Sequence, residues 1–257
     1  RRIQSTIIDS TSCIAVDIAS NKFLTKQILK DHDIPVPFGD IVYTEESAVG
    51  LAKYIGFPVV VKPYDGNQGK GVSLNLWSEQ QVREAFRTAV SFSNAVLIEQ
   101  FIQGKDYRVL VVGDKVSAVA ERCAAYVVGD GYSSIQQLIY KENYNPLRGE
   151  GHERPLTRLK MDDVARQVLM KQSFNEQSVP PKGKIVYLRE NANISTGGTA
   201  TDRTEDIHPW NAELAVKAAR AIGLDIAGID ITCADISTPL YENGGAVIEV
   251  NAAPGIR

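Results

Sequence analysis

The 257-residue chain has the composition of an ordinary globular protein, with 44% hydrophobic and 23% charged residues. Its formal net charge of −3 gives no electrostatic reason to expect nucleic acid or an anionic membrane as a partner, and no apolar run approaches the ~20 residues that cross a bilayer. The 3 cysteines and 3 histidines are scattered, without metal-ligand spacing or a disulfide framework. This pattern predicts a protein of the reducing cytoplasm without a zinc site.

The first part of the chain mixes short helices and strands, which predicts an α/β lobe over residues 22–102. Residues 1–21 show no clear periodicity and are predicted to be a connection from an upstream domain. Asn21 is expected to cap a helix that ends near Lys30, and Gly56 to end the next helix. The remaining predicted elements are strands over residues 41–44, 58–62, 72–76 and 95–101 and a helix that begins at Ser78 and ends near Phe92.

Residues 103–257 are predicted to form a second lobe. A turn at Gly113-Asp114 is expected to join two strands into a hairpin, and the polar segment 149–159 is predicted to be a mobile loop. The other predicted elements are strands over residues 107–112, 115–123 and 184–189, helices over residues 162–172 and 209–222, and two strands at the end of the chain.

The two final predicted strands carry oxygen ligands. Asp230 lies on the first of them, and Glu249 and Asn251 lie two residues apart on the second. Because side chains alternate faces along a strand, Glu249 and Asn251 point the same way, and Asp230 joins them if the strands are neighbours. Such oxygen atoms suit Mg²⁺, which completes its shell with phosphate oxygens and water. The pattern predicts a magnesium–nucleotide site, and a solvated charge pair on unrelated strands is the alternative.

A glycine-rich turn follows the apolar strand that ends at Lys62. The turn holds Gly66, Gly69 and Gly71 around Lys70. Glycines let the backbone approach a phosphate and present its N–H groups, and a lysine adds positive charge for the outer phosphates. An ordinary hairpin turn is the alternative, but the lysine on the preceding strand favours phosphate binding. The turn is not a Walker A sequence, because no Ser or Thr follows the lysine.

A short break at residues 103–105 separates two further strands. An adenine ring could bind there through backbone groups, with Glu99 and Asp106 as candidate acceptors. Arg108 lies two residues after Asp106 and therefore on the same face of the strand. A surface salt bridge between Asp106 and Arg108 is the alternative interpretation.

Polar residues at two-residue spacing precede a second glycine-containing loop. Arg189, Asn191 and Asn193 are followed by the segment 195–199, which contains two adjacent glycines. An arginine can hold a phosphoryl group in transfer, since its planar guanidinium matches phosphate oxygens. The paired glycines suggest close approach of the backbone to a substrate. A solvated Gly-Gly turn is the alternative.

Taken together, the chain resembles the ATP-grasp superfamily of carboxylate–amine ligases, in its glutathione-synthetase-like branch. The resemblance rests on the order and spacing of VVVKP, GNQGKG, IEQFIQGKDYR, LRENANISTGG, GID and IEVNAAPG. The runs STGGTATDRTEDIHPWN, GLDIAGIDI and EVNAAPGIR resemble the central ligase domain of the cyanophycin synthetase family. The resemblance implies an α+β ATP-grasp fold, with two α/β lobes that hold the nucleotide between them.

The resemblance also implies ATP and Mg²⁺ as cofactors and assigns site residues. The implied nucleotide-binding residues are Lys26, Lys62, Gly66, Gly69, Lys70, Gly71, Glu99, Ile102 and Asp106. The implied metal ligands are Asp230, Glu249 and Asn251, and the implied catalytic residues, at the transferred phosphate or the substrate carboxylate, are Arg108 and Arg189. The implied substrate-binding residues are Ser195, Thr196, Gly197 and Gly198.

The family mechanism implies that ATP phosphorylates a C-terminal carboxylate and that an amine attacks the acyl phosphate to give an amide, ADP and phosphate. No Cys or Ser nucleophile is needed, because phosphoryl transfer relies on positioning and charge neutralisation. The expected substrates are a growing cyanophycin chain and aspartate. The expected partners are a Mur-ligase-like domain of the same polypeptide after residue 257 and further copies of the protein in a homo-oligomer.

Other functions remain open from the sequence. They are a variant that condenses β-aspartyl-arginine dipeptides, a glutathione-type ligase, a metabolite kinase and a nucleotide-binding module without turnover. The continuation TATDRTEDIH favours the cyanophycin type over the glutathione type. The complete set of Asp230, Glu249 and Asn251 argues against a module without turnover, which need not retain all three.

Overall fold

The computed structural model describes residues 3–4, 6–65, 70–151 and 153–255. Two of the predicted site residues, Gly66 and Gly69, lie outside these described residues. The chain divides into two compact units: unit 1 takes its residues from 1–119 and 203–256, and unit 2 from 120–202. These bounds differ from the predicted boundary between two lobes after residue 102, which stays a prediction.

The described residues form the following elements. The strands are β1 (Ile3–Gln4), β2 (Ile7–Ile8), β3 (Gly39–Val42), β4 (Val59–Pro63), β5 (Ser73–Leu76), β6 (Val96–Gln100), β7 (Lys105–Val112), β8 (Lys115–Cys123), β9 (Tyr126–Val128), β10 (Arg148–Gly149), β11 (Leu156–Thr157), β12 (Ile185–Tyr187), β13 (Thr199–Asp202), β14 (Ile226–Cys233) and β15 (Ala246–Asn251). The helices are α1 (Cys13–Ser20), α2 (Lys22–Asp31), α3 (Glu45–Ile55), α4 (Glu79–Val90), α5 (Ile135–Glu142), α6 (Asp163–Lys171), α7 (Pro209–Ile222) and α8 (Leu240–Asn243).

The first sheet of unit 1 is antiparallel, with the strand order β3-β6-β4-β5. Helices α3 and α4 pack on it and begin at the N-caps Thr44 and Ser78, whose side chains accept hydrogen bonds from backbone N–H groups. Val59, Val61 and Ile98 are fully buried in the core between the sheet and these helices. The sheet therefore holds β4 and β6, which carry Lys62 and Glu99, in direct hydrogen-bonded contact.

The second sheet of unit 1 is also antiparallel and places β14 between β7 and β15. The predicted hairpin turn at Gly113-Asp114 is observed, since it joins β7 to β8. Helix α7 packs on this sheet through an apolar face that includes Leu214 and Ala218, and α2 packs on α7 and β15. The sheet core includes Val109 and Ile229, both fully buried. Helix α2 is thereby fixed beside the strand that carries Glu249 and Asn251.

Unit 2 has its own small core. The strands β9 and β12 pair antiparallel, β10 and β11 pair in parallel, and residues 120–123 of β8 pair with β13. Helices α5 and α6 pack on these strands around the fully buried Ile135, Leu169 and Val186. Because this cluster contains no residue of unit 1, unit 2 is packed as a module of its own.

Several elements of the described chain were not predicted from the sequence. Helix α1 gave a weak signal, because it has only 8 residues and its buried face carries the small side chains of Ala15 and Ala19. Helix α5 was also missed, although Ser134 and Gln137 form a capping box in the structure, which is a sequence signature of a helix start. The prediction of a loop over residues 149–159 was wrong in part, since β10 and β11 lie at its two ends.

No helix within the described ranges combines the length and the apolar character that crossing a membrane requires.

Candidate active site

A row of charged side chains crosses three strands of the second sheet. Arg108 on β7 pairs with Asp230 on β14, and Asp230 pairs with Glu249 on β15. Residues at paired positions of antiparallel strands project from the same face of the sheet. The predicted proximity of Asp230 and Glu249 is therefore observed, and Arg108 lies beside them on the same face.

Arg108 and Asp230 form an ion pair with two hydrogen bonds. The Nε atom of Arg108 donates to Oδ1 of Asp230, and its Nη2 atom donates to Oδ2 over 3.1 Å. Asn251 completes the group, because its Nδ2 atom lies 3.3 Å from the carbonyl oxygen of Gly228 and 3.5 Å from Oδ2 of Asp230. The alternative of unrelated strands is thereby excluded, since the side chains of Asp230 and Asn251 are in contact.

Gly228 is a site residue that the sequence analysis did not assign. A Cβ atom added at this position would lie 3.0 Å from Nη1 of Arg108 and 2.7 Å from the Cβ atom of Pro254. Glycine therefore leaves the space that the guanidinium occupies. The signal was available in the sequence, because Gly228 precedes Asp230 by two residues and so faces the same side of β14.

The donor atoms of this group fit Mg²⁺. The carboxylates of Asp230 and Glu249 and the amide oxygen of Asn251 are hard oxygen ligands, and two carboxylates leave coordination positions for phosphate oxygens and water. Lys22, which the sequence analysis also did not assign, lies with its Nζ atom 3.8 Å from Oε1 of Glu249. Among the described residues, no three side chains of the His, Cys, Asp and Glu types are grouped for a metal.

A buried cluster of two lysines and one glutamate lies in the same unit. Lys26 on α2 donates a hydrogen bond to Oε1 of Glu99 on β6, and Nζ of Lys62 on β4 lies 2.6 Å from Oε2 of Glu99. The side chains are only 8%, 4% and 12% exposed for Lys26, Glu99 and Lys62. A buried cluster with one carboxylate and two amines has an excess of positive charge when both amines are protonated, and an anion such as phosphate would balance it.

The pKa values of the cluster follow from burial and mutual charge. Burial, together with the charge of Lys62, lowers the pKa of Lys26 to about 7, although Glu99 acts in the opposite direction. Burial would lower the pKa of Lys62, but the charge of Glu99 and the hydrogen bonds with Glu99 and Lys26 together outweigh it, so the pKa is raised, with a further contribution from the charge of Glu249. Burial would raise the pKa of Glu99, but the two lysines outweigh it and lower the pKa. Helix α2 connects this cluster to the charged row, because it carries both Lys26 and Lys22, and Nζ of Lys22 lies 3.8 Å from Oε1 of Glu249.

A cavity of ≈ 500 Å³ in unit 1 reaches this cluster. Lys26 and Glu99 line one part of it, and the aromatic side chains of Phe23, Phe38 and Trp210 line another. A ligand with a flat apolar group and a charged group could therefore approach the buried Lys26 from solvent.

Other predicted nucleotide-binding residues lie around the ends of these strands. Lys70 is exposed, and Gly71 has φ +70°, with no room for a Cβ atom, which would lie 2.7 Å from the ring of Phe92. Ile102 is half-buried in the segment between β6 and β7. Asp106 accepts a hydrogen bond of 2.7 Å from the hydroxyl group of Thr232. The nucleotide contacts of these residues stay predictions.

The remaining predicted residues lie in unit 2. Arg189 is buried, and its Nη2 atom donates to Oδ2 of Asp162 over 2.7 Å, while Nη1 donates to the carbonyl oxygen of Leu188 over 2.8 Å. Asp162 also caps α6 by accepting from the backbone N–H of Ala165. The guanidinium is thus held in one orientation, and its predicted catalytic role stays a prediction.

The loop 195–198 of unit 2 is folded around Asn193. The Oδ1 atom of Asn193 accepts from the backbone N–H and the hydroxyl group of Ser195, and its carbonyl oxygen accepts from the hydroxyl group of Thr196. A Cβ atom at Gly197 would lie 2.8 Å from Leu159, and one at Gly198 would lie 2.6 Å from the carbonyl oxygen of Cys123. Both positions therefore require glycine for packing, and the contact of this loop with substrate stays a prediction.

The family follows from a match over most of the chain. A model of the RimK-like ATP-grasp domain matches residues 19–130 and 188–257. The chain belongs to the RimK-like ATP-grasp family. Both the charged row and the lysine–glutamate cluster of unit 1 lie inside the matched ranges of this ATP-grasp chain, as do Arg189 and the loop 195–198.

Similar proteins agree with this assignment. The chain is 45% identical over 258 residues to a cyanophycin synthetase from Trichormus variabilis. The alignment covers 100% of this chain and 29% of that relative. It is 36% identical over 256 residues to the glutathione biosynthesis bifunctional protein GshAB from Clostridium perfringens, with 98% of the chain and 33% of that relative covered. The crystal structure of a bifunctional glutathione synthetase from Pasteurella multocida superimposes with a TM-score of 0.66 at 32% identity, over 96% of the chain and 34% of that protein.

The ATP-grasp family and the α+β fold predicted from the sequence are therefore confirmed. The relatives also support the predicted enzyme class, an ATP-dependent ligase, and ATP-grasp ligases in general use ATP with divalent metal ions. The chain spans about a third or less of the length of these relatives, which is consistent with further domains in the same polypeptide.

Proposed function

We propose that the chain is the part of a cyanophycin-synthesising ligase that activates a C-terminal carboxylate with ATP and Mg²⁺ and joins aspartate to it. The observation that carries the proposal is the arrangement in unit 1, where helix α2 contributes Lys26 to the buried lysine–glutamate cluster and places Lys22 3.8 Å from Glu249 in the row Arg108–Asp230–Glu249. Such a set of cations and oxygen ligands suits a magnesium-bound nucleotide. The greater identity to cyanophycin synthetases than to GshAB supports the choice of substrate.

In unit 1, Lys26 and Lys62 would bind the phosphates of ATP, with Gly66, Gly69, Lys70 and Gly71 covering them. Glu99, Ile102 and Asp106 would bind the adenosine. Asp230, Glu249 and Asn251 would hold Mg²⁺, which when bound neutralises charge on the phosphates. The ion pair between Arg108 and Asp230 fixes the guanidinium on the same face, where it can bind a phosphoryl oxygen or the substrate carboxylate.

In unit 2, Arg189 would bind the transferred phosphoryl group or the substrate carboxylate, with Asp162 holding its guanidinium in place. The Ser195, Thr196, Gly197 and Gly198 loop would bind the peptide substrate. Its hydroxyl groups are held by Asn193 and so have defined orientations, which suits selection of one end of a peptide.

The proposed reaction has two steps. A carboxylate oxygen of the peptide attacks the γ-phosphorus of ATP, the bond to the β–γ bridging oxygen breaks, and ADP leaves. The amino group of aspartate then attacks the acyl carbon, phosphate leaves, and the amine gives up a proton as the amide forms. Positive charge from lysines and arginines stabilises both leaving groups, so no nucleophilic side chain is required.

The similarity to cyanophycin synthetases also supports proposals about further domains, oligomeric state and location in the cell. A Mur-ligase-like domain of the same polypeptide would attach arginine to the new aspartate, and the protein would act as a homo-oligomer in the cytoplasm. A glutathione-type ligase is a second candidate, favoured by the 36% identity to GshAB and the similarity to the Pasteurella multocida structure.

The proposal is tested by phosphate release from ATP and Mg²⁺ in the full-length protein with a short β-aspartyl-arginine primer. Aspartate, arginine, both amino acids or the dipeptide are added in turn, and chain growth is followed by mass spectrometry. Release and growth that depend on aspartate support the proposal. Dependence on the dipeptide indicates the condensing variant, and release only with γ-glutamylcysteine and glycine indicates the glutathione type.

Binding of ATP is expected to take up a proton through Lys26. The pKa of this lysine is about 7 in the free protein, and a bound phosphate raises it, so the ammonium form must be restored on binding at higher pH. The Kd for ATP should then rise by up to about tenfold per pH unit above pH 7. Calorimetry in buffers of different ionisation enthalpy measures the proton uptake.

The control for this pH dependence is Lys26→Met, which is expected to bind ATP more weakly but without proton uptake between about pH 7.5 and 9.5. Lys62 does not contribute in this range, because its pKa is raised. A wild-type protein that binds ATP with no proton uptake in this range would show that Lys26 does not contact the phosphates.

Replacing Lys70 with alanine is expected to slow turnover more than it weakens ATP binding, because Lys70 is proposed to act at the outer phosphates. We expect kcat to fall about 100-fold, the effect of removing one charge-stabilising donor, with a much smaller change in the Kd for ATP. Rapid-quench kinetics and equilibrium ATP binding measure the two quantities. Lys217→Ala, at an exposed position on α7, is the matched control. Unchanged kcat with weaker ATP binding would contradict the role.

A further inference from the structure

A buried arginine inside unit 2 contacts the loop 195–198. The side chain of Arg148, on β10, is 2% exposed. Its Nη1 atom donates to the carbonyl oxygen of Thr157 over 2.7 Å and to that of Gly197 over 3.0 Å, and its Nε atom donates to Oε1 of Glu142 over 3.1 Å. One guanidinium therefore joins β11 to the loop.

Burying the charge of Arg148 costs free energy, which indicates that the hydrogen bonds of its guanidinium have a specific role. A buried guanidinium loses its hydration, and Glu142, the carboxylate that Arg148 contacts in the described part of unit 2, has a side chain that is 43% exposed. An apolar side chain would fill the same space without this penalty. What only a planar guanidinium supplies is a set of donors with fixed directions, which here bridge two backbone carbonyl groups.

The Gly197 carbonyl determines the geometry of the loop. The C=O of Gly197 and the N–H of Gly198 belong to one planar peptide group, so a hydrogen bond that orients the first also orients the second. That N–H donates to the carbonyl oxygen of Asn193 over 3.1 Å, which closes the loop. Gly197 has φ +99°, in the left-handed region, and Leu159 packs where its Cβ atom would be.

Arg148 belongs to a segment outside the matched part of the family. The RimK-like model covers residues 19–130 and 188–257, so Gly197 lies inside the matched domain and Arg148 lies in the intervening segment 131–187. The intervening segment thus supplies a side chain that holds a loop of the common domain.

We propose that Arg148 is a positioning residue, through which the segment 131–187 fixes the loop 195–198 in the conformation that binds the peptide substrate. The proposal rests on the proposed function in one respect, namely that this loop binds the peptide. The positioning itself can be measured without any substrate. A role of Arg148 in overall stability alone would leave the substrate preference unchanged.

The first measurement is amide hydrogen exchange in the full-length protein, on peptides that cover residues 189–202. Arg148→Met keeps an unbranched apolar stem but removes the guanidinium and its donors, and exchange at residues 196–198 is expected to rise about tenfold, the effect of losing one hydrogen bond to a charged group. Arg148→Lys keeps the charge and can restore part of the protection. Arg154→Met is the matched control, because Arg154 is an exposed arginine six residues along the same segment.

The second measurement is the dependence of phosphate release on primer and on ATP. For Arg148→Met we expect the KM for the primer to rise about tenfold and the KM for ATP to stay unchanged, with Arg148→Lys between Arg148→Met and the wild type. Glu142→Gln, which leaves both carbonyl contacts in place, should resemble the wild type. If Arg148→Met does not fold, Arg148→Lys carries the test.

The outcomes separate the two proposals. Unchanged exchange and an unchanged primer KM in both Arg148 variants would overturn the positioning role, and so would a rise in exchange spread evenly over unit 2. Faster loop exchange in a protein whose wild type releases no phosphate with any peptide primer would support the positioning role and count against the proposed function alone. Faster exchange with an unchanged primer KM would overturn the link between the loop and the substrate.

Discussion

Replacement of Glu249 by glutamine is expected to abolish ligation while the fold is retained. The glutamine keeps the shape of the side chain and one oxygen, but it removes the negative charge that would bind Mg²⁺ opposite Asp230. We expect primer-dependent phosphate release to fall by at least about 100-fold, since charge stabilisation of the transferred phosphoryl group depends on the metal. Phosphate release and circular dichroism measure activity and fold.

The loss is expected to be specific to the metal. Glu249 is 33% exposed and its contact with Lys22 is 3.8 Å long, so the substitution leaves no buried unpaired charge. The Mg²⁺ concentration for half-maximal activity should rise, whereas Glu213→Gln, at an exposed position on α7, should behave as the wild type. A Glu249→Gln enzyme with normal turnover at low Mg²⁺ would refute the assignment of this residue as a metal ligand.

The charged row could be predicted from the sequence because it depends on a short-range rule. Side-chain alternation sets which residues of a strand share a face, and the pairing of the last two strands, which was only a condition of the prediction, then brings Asp230 next to Glu249 and Asn251. Side-chain alternation does not predict which strand pairs with the other edge of β14. The pairing of Arg108 with Asp230 spans 122 residues and depends on β7 lying beside β14.

The buried cluster could not be derived from spacing at all. Lys26, Lys62 and Glu99 lie on a helix and two strands, and their contact depends on how α2 packs against the first sheet. Lys62 and Glu99 were candidates for nucleotide binding from their positions in the sequence and Lys26 through family resemblance, but no pattern in the sequence indicated that the three side chains touch. Packing of distant elements also explains the omission of Lys22, although it lies one helical turn before Lys26 on α2.

Replacement of Glu99 by glutamine is expected to destabilise the protein more than any other single substitution considered. The variant leaves Lys26 and Lys62 buried beside each other without their shared carboxylate, and breaking a buried ion pair on one side costs about 3–5 kcal/mol. Urea denaturation followed by tryptophan fluorescence measures the loss in the free energy of unfolding. Glu45→Gln, which breaks a surface pairing with Arg83 and Arg87, is the matched control and should have a much smaller effect.

The loss in the free energy of unfolding caused by Glu99→Gln should decrease as the pH rises. The lowered pKa of Lys26 means that the folded state releases a proton that the unfolded state keeps between about pH 7 and 10.5, so the contribution of Lys26 to stability rises with pH over this range. Without Glu99 the folded-state pKa of Lys26 falls further, because Glu99 is the group that raises it. The difference between variant and wild type should therefore be larger at pH 6 than at pH 9, and a pH-independent difference would contradict the buried-charge explanation.

ATP should compensate for the missing carboxylate. If Lys26 and Lys62 bind the phosphates, the nucleotide supplies the negative charge that Glu99→Gln lacks, and its binding free energy adds to the stability of the folded state. ATP should therefore raise the thermal midpoint of Glu99→Gln more than that of the wild type, whereas adenosine, which has no phosphate and loses its proposed contact with Glu99, should not do so. Equal shifts with ATP in the two proteins would mean that the lysines are paired with Glu99 for the fold alone and that the phosphates bind elsewhere.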